Sequence, residues 1–134
     1  MSSREFIAAF GAVTVARTGR ERSPADVLAQ WEQTVSLVEA GYDGDFFEFD
    51  NDMSIRDLID AVLADEGVMS HVEARWFVHG VALIDSRLRE VLSKEASRGS
   101  GMSWWRSHFP TVSGPELAAD LEELYGFSVS RIVR

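Results

Sequence analysis

Carboxylates are concentrated in one stretch of the chain, between Gly41 and Glu66. Nine acidic residues occur there against a single base, Arg56, so the stretch carries −8 of the formal net charge of −9. The nine are Asp43, Asp45, Glu48, Asp50, Asp52, Asp57, Asp60, Asp65 and Glu66. The rest of the chain is close to neutral. Such an uneven surface favours a basic protein partner, because complementary charge speeds association and excludes wrong partners.

Aromatic side chains accompany this charge. Phe46, Phe47 and Phe49 are interleaved with the carboxylates and could supply an apolar anchor. Trp104 and Trp105 are adjacent, so in an extended segment one ring can pack inward while the other covers the surface. The predicted partner-binding residues are Asp43, Asp45, Phe46, Glu48, Asp50, Asp52, Asp57, Asp60, Trp104 and Trp105. The alternative is a solvated acidic loop with inward rings, and tryptophans that only pin a long loop.

A calcium loop is the next chemistry that the acidic stretch suggests. Asp50, Asp52 and Ser54 match the first, third and fifth positions of an EF-hand. The sixth position needs glycine but holds Ile55, and the twelfth needs glutamate but holds Ala61. We therefore predict no metal site, and no other motif indicates a cofactor.

Catalytic patterns are weak. The chain has three histidines, and none occurs in a His-x-x-x-His or Glu-x-x-His pattern. His79 and Asp85 fall on one predicted helix, so a small metal- or ligand-dependent enzyme centred on them is an alternative function. No strained turn that would activate Ser86 as a nucleophile is indicated. Structural roles are the preferred interpretation, and no catalytic residue is predicted.

Length and composition indicate one helical domain covering residues 1–134. The hydrophobic fraction of 46% is sufficient for a core. The absence of cysteine excludes disulfides and thiolate chemistry. The net charge disfavours direct nucleic-acid binding. The apolar run near the N-terminus is too short for a membrane span and lacks the order of a signal peptide, so a cytoplasmic location is expected.

Capping signals and apolar periodicity predict four to five helices. They begin near Ser2, at Ser23-Pro24, at Ser54, at Ser70 and at Ser113-Pro115, and the last ends at Gly126. In the fourth, the main apolar row is Phe77, Val81, Ile84, Leu88 and Val91, and a second row is Val72, Trp76 and Leu83. The fold class expected is all-α, a compact four- to five-helix bundle.

The segments between these helices are predicted to be mostly irregular. Tyr42–Met53 is expected to be a loop with at most one helical turn, and the chain from Trp104 to Pro110 is expected to be extended or turn-like towards the proline. Within the tail of residues 127–133, the run Phe127-Ser128-Val129-Ser130 alternates like a short strand. A minor β pairing of this tail is therefore an option, with Val13–Val15 as one candidate mate.

Part of the sequence resembles a group of small uncharacterised bacterial helical proteins. The likeness rests on Val38-Glu39-Ala40-Gly41-Tyr42, the acidic loop, and Asn51-Asp52-Met53-Ser54-Ile55-Arg56-Asp57, where Met53 replaces the Leu of the pattern. The Trp-Trp-x-x-x-Phe-Pro run belongs to the same likeness, which covers about half of the chain. It implies an all-helical fold and a bacterial origin. In size and acidity alone, the chain is also similar to immunity proteins that neutralise toxins.

The leading functional hypothesis is a protein-binding module of immunity or antitoxin type. Its acidic, aromatic-containing loop would occlude a basic partner such as a toxin or nuclease. A nucleic-acid mimic is an alternative, which predicts carboxylates spread along one elongated face. The small enzyme described above is the third hypothesis, and it predicts a concave pocket with convergent polar groups.

Overall fold

A computed structural model describes residues 4–99 and 101–132 of the protein. The described residues are mostly helical. The helices are α1 (Arg4–Thr18), α2 (Pro24–Glu39), α3 (Phe46–Asp52), α4 (Ser54–Leu63), α5 (Glu66–Met69), α6 (Ala74–Val91), α7 (Trp104–Ser107) and α8 (Pro115–Tyr125). The short strands are β1 (Leu92–Ser97), β2 (His108–Pro110), β3 (Val112–Ser113) and β4 (Ser130–Arg131). Within the two described ranges, no helix combines the length and apolar character that crossing a bilayer requires.

The chain divides into two compact units. Unit one comprises Met1–Glu32 and Ser54–Ile84, and unit two comprises Gln33–Met53 and Asp85–Arg134. The divisions fall within α2 and α6.

Unit one is built around α1, which contacts α4 and α5. Its aromatic centre is formed by Phe6, Phe10 and Phe77, and the Phe10 and Phe77 rings meet edge to face at 5.0 Å. The α4 helix turns Ile55, Leu58, Ile59 and Val62 into the core, as its apolar spacing predicts.

Two of the predicted helix starts in unit one are confirmed and one is wrong. Ser23 Oγ accepts the Asp26 N–H at 3.1 Å ahead of α2, and α4 begins at Ser54. Ser70, by contrast, does not begin a helix. It follows α5 and donates to the Gly67 carbonyl, and α6 starts only at Ala74. The start predicted near Ser2 lies outside the described residues.

The two apolar rows predicted for the fourth helix differ in burial. In unit one, Phe77, Val81 and Ile84 are buried as expected. The second row is exposed instead, as shown by Val72, Trp76 and Leu83. Periodicity alone could not separate a second buried face from an apolar surface.

Unit two combines α3 and α8, which contact each other, with two small β pairings. The β1 and β2 strands pair antiparallel, and β3 and β4 pair parallel. The α8 helix has Pro115 in its first turn and ends at Gly126 in the left-handed conformation, as predicted. Its N-cap is Gly114 rather than Ser113, which is buried and donates to the Gly114 carbonyl.

Three irregular segments differ from the sequence-based predictions. The acidic loop contains the seven-residue helix α3, which is longer than one turn. Trp104 begins a short helix, and the chain becomes extended only at His108. The tail strand pairs with β3, whereas Val13–Val15 lies inside α1. The expectation of at most one helical turn in the acidic loop was therefore wrong. Val13–Val15, one candidate mate of the tail, does not pair with it, because residues distant in sequence decide strand pairing.

Candidate acidic aromatic interface

The α3 helix is fixed in place by carboxylates at its N-terminus. Asp45 Oδ1 accepts the Glu48 N–H at 2.8 Å, which makes Asp45 the N-cap. Asp120 Oδ2, on α8, accepts the Phe46 N–H at 2.9 Å. Because the first N–H groups of a helix lack partners within it, these two acids stabilise α3 and tie it to α8.

The loop before α3 is held against the start of α8. The Gly114 N–H donates to the Tyr42 carbonyl at 3.0 Å. A Cβ atom at position 114 would lie 2.6 Å from that carbonyl oxygen, so only glycine permits this approach. Two segments more than 70 residues apart are thereby joined beside the acidic stretch.

The three phenylalanines of the acidic stretch have different environments. Phe46 and Phe49 are 5% and 2% exposed, whereas Phe47 is 69% exposed. The Phe46 ring contacts the rings of Phe109 and Tyr125, and the Phe49 ring contacts Tyr42. Phe46 is therefore a core residue, and the prediction that it forms the surface anchor is corrected. The ring that reaches solvent is Phe47.

A second partly exposed ring, Tyr125, contacts the same buried Phe46 ring as Phe47. The rings of Phe47 and Tyr125 each lie 5.5 Å from the Phe46 ring, and Tyr125 is 36% exposed. We define the acidic aromatic face as Phe47 and Tyr125 with the carboxylates of Asp45, Glu48 and Asp120. It combines apolar rings with negative charge, as the sequence predicts, but its composition differs from the predicted one.

The α8 helix supplies part of this charge. It contains four acids, Glu116, Asp120, Glu122 and Glu123, and no basic residue. The sequence shows that α8 is acidic, but it does not show that α8 packs against α3. The sequence-based list therefore omitted Asp120 and Tyr125.

Asp50 serves the fold of unit two. Its Oδ1 accepts from Arg98 Nη1 at 3.0 Å and from Arg106 Nη1 at 2.8 Å. The Arg98 guanidinium also lies 5.1 Å from the Phe46 ring and 5.5 Å from the Tyr125 ring. These contacts engage the Asp50 carboxylate within the unit, so its negative charge is compensated by arginine.

Asp52 is also engaged, since it accepts a hydrogen bond from the Tyr42 hydroxyl. Burial of the phenol and this hydrogen bond raise the pKa of Tyr42 above its usual value of 10.0. The Asp43 side chain is exposed.

Of the two adjacent tryptophans, one ring packs inward and the other reaches the surface, as expected, although the local structure is helical. Trp105 is 5% exposed, and Trp104 is half-buried. The Arg89 guanidinium lies 4.0 Å from the centre of the Trp104 ring. Trp104 therefore stands beside a cation, and Trp105 belongs to the core of unit two.

Asp57 and Asp60 belong to unit one, whereas the other predicted binding residues belong to unit two. Both side chains are exposed, and Asp60 Oδ1 lies 3.8 Å from Nη1 of the buried Arg56. The structure thus distributes the predicted binding residues over two units.

The enzyme alternative depends on His79 and Asp85, which are assigned to different units. His79 borders a groove of about 670 Å³ together with His71 and Arg75, and Asp85 does not line that groove. Among residues 4–99 and 101–132, no group of three or more His, Asp or Glu side chains is placed to hold a metal ion. The enzyme alternative stays a prediction, with His79 at the groove and Asp85 six residues further along the same helix.

Comparison with protein-family models, curated proteins and solved structures gives no match to this chain.

Proposed function

We propose that the chain is a protein-binding module of immunity or antitoxin type, whose acidic aromatic face occludes a basic partner. The observation that carries this proposal is the position of Phe47. A ring that is 69% exposed stands on a capped helix, between acids at positions 45 and 48. Anchoring aromatic rings within a polar rim are characteristic of binding hot spots.

Single exposed apolar residues are common and carry little meaning. Phe47 differs because its ring and the Tyr125 ring both contact the buried Phe46 ring, and Leu124, next to Tyr125 in sequence, is 50% exposed. The apolar surface of the face therefore contains more than one side chain. Its surroundings are acidic on both α3 and α8.

The mechanism is occlusion by charge and shape. The carboxylates of the face would occupy a cationic groove that normally holds phosphate groups, and Phe47 would fill an apolar pocket beside it. Opposite charge speeds the encounter, and the buried ring slows dissociation. Asp43 and Trp104 remain proposed additional contacts of unit two, and Asp57 and Asp60 stay predicted contacts of unit one. A helical-bundle arrangement and a cytoplasmic location belong to the same proposal.

Site-specific photocrosslinking tests the face directly. A benzophenone amino acid replaces Phe47 in the full chain, which is expressed in cells of the source organism. The matched control carries the same group in place of Val72, which is 67% exposed in unit one. The two probes therefore have nearly equal access to solvent.

The expected result is one basic protein crosslinked at position 47 and absent at position 72. The captured protein should then bind the purified wild-type chain, and Phe47→Ser should weaken that binding about tenfold or more. Capture of the same proteins at both positions would contradict the proposal, as would unchanged affinity of Phe47→Ser.

A further inference from the structure

Unit two contains a cavity whose chemistry is opposite to that of the acidic aromatic face. It has a volume of about 360 Å³ and is formed where α6 passes into β1, close to α7 and β2. The lining residues are Arg89, Leu92, Ser93, Lys94, Trp104 and His108.

The polar side of this cavity is basic. Arg89 and Lys94 are both exposed, and His108 is half-buried. Lys94 is the only lysine of the chain. The described residues that line the cavity include no carboxylate. In a protein with a net charge of −9, a cavity bordered by an arginine, a lysine and a histidine departs from the overall composition.

Trp104 holds one of these cations in a defined position. The Arg89 guanidinium lies over the Trp104 ring at 4.0 Å, and the Trp105 ring meets Trp104 edge to face at 5.7 Å. Trp105 is buried, so it supports the Trp104 ring from within the unit. A cation stacked on an aromatic face loses little freedom when it also binds an anion, because its guanidinium is already oriented.

From this arrangement we infer that the cavity binds a small phosphate monoester. Arg89, Lys94 and His108 contact the phosphate, which carries about two negative charges near neutral pH. Leu92 and Trp104 contact the apolar part of the ligand. A monocarboxylate would compensate less of this positive charge, so a dianion is the better match.

The size and the overall charge also favour a small ligand. A volume of about 360 Å³ lies within the range of small-molecule sites, roughly 300–1,000 Å³. A nucleic acid would extend beyond the cavity and meet the negative field of the chain, whereas a small dianion is held locally. The inference does not depend on the proposed function, because the cavity contains no residue of the acidic aromatic face and shares with the proposed function only the additional contact Trp104.

Calorimetric titration with phenyl phosphate tests the inference, because this probe combines a phosphate with an apolar ring. Inorganic phosphate and phenol are the companion probes: the first carries only the phosphate group, and the second carries only the aromatic ring. The variants are Lys94→Gln and Arg89→Gln, and the control is Arg20→Gln, which removes an exposed positive charge in unit one. Circular dichroism verifies that each variant remains folded.

Phenyl phosphate should bind the wild-type chain at one site, more tightly than inorganic phosphate, and phenol should bind weakest. Lys94→Gln and Arg89→Gln should each weaken binding about 3- to 10-fold, and Arg20→Gln should leave it unchanged. Equal losses in all three variants would show a nonspecific charge effect and overturn the inference. It is also overturned if phenyl phosphate does not bind, or if Lys94→Gln instead abolishes binding of single-stranded DNA or anionic vesicles.

Discussion

Replacing Asp50 with asparagine should destabilise the protein strongly, although Asp50 belongs to an acidic surface segment. The carboxylate joins Arg98 and Arg106, whose side chains are only 14% and 18% exposed. Removing one partner of a buried ion pair costs about 3–5 kcal/mol, since the remaining charge stays buried without compensation. The Asp50 side chain is 35% exposed, so solvent screening reduces the expected loss to about 2–3 kcal/mol.

The assay is urea unfolding followed by tryptophan fluorescence, with thermal unfolding as a second measurement. A loss of about 2–3 kcal/mol corresponds to a decrease in Tm of about 8–12 °C for a chain of this length. The matched control is Glu123→Gln, which removes a carboxylate charge from an exposed side chain of the same unit and should change stability by less than about 0.5 kcal/mol. If the two variants have equal free energies of unfolding, the structural role assigned to Asp50 is refuted.

Three further predictions concern unit two. Phe46→Ala should cost about 3–4 kcal/mol in urea unfolding, while Phe47→Ala should cost less than about 1 kcal/mol, and similar losses would contradict their different burial. Folding raises the pKa of the Tyr42 phenol above 10.0, so the stability that its protonated form contributes should be fully present below about pH 10 and should be lost as the pH rises above that value. Tyr42→Phe should remove this pH dependence of the free energy of unfolding above about pH 10. An unchanged pH dependence in the variant would contradict the role assigned to Tyr42. Gly41→Ala should lower the free energy of unfolding by about 2–3 kcal/mol, and Gly19→Ala should lower it by about 1 kcal/mol. Both glycines have positive φ, but only a Cβ at position 41 would overlap another side chain, since it would lie 1.8 Å from Ile132 Cδ1. Equal losses in urea unfolding would show that this overlap is relieved without cost.

Local signals made much of the helical structure predictable. Ser23-Pro24 identified the start of α2, and Gly126 identified the end of α8, because capping depends on a few neighbouring residues. Ser70 and Ser113 carried the same signals and were misinterpreted. In both cases the hydroxyl bonds a nearby carbonyl instead, which is a competing use of the same side chain.

The composition of the candidate site was only partly predictable. The sequence identified the acidic stretch and the presence of rings within it, but not which ring is exposed. Phe46 is buried because Phe109 and Tyr125, more than 60 residues away in sequence, cover it. The role of Asp50 likewise depends on Arg98 and Arg106, and such long-range pairs leave no periodic signal.

The most direct test of the proposed function is the ionic-strength dependence of association with the basic protein captured at Phe47. Stopped-flow association rates are measured between about 20 mM and 500 mM salt for the wild type, Glu48→Gln and Phe47→Ser. The account predicts that the wild-type rate falls about tenfold or more with salt, that Glu48→Gln flattens this dependence, and that Phe47→Ser mainly speeds dissociation. An association rate independent of salt, together with dissociation unaffected by Phe47→Ser, would contradict the account.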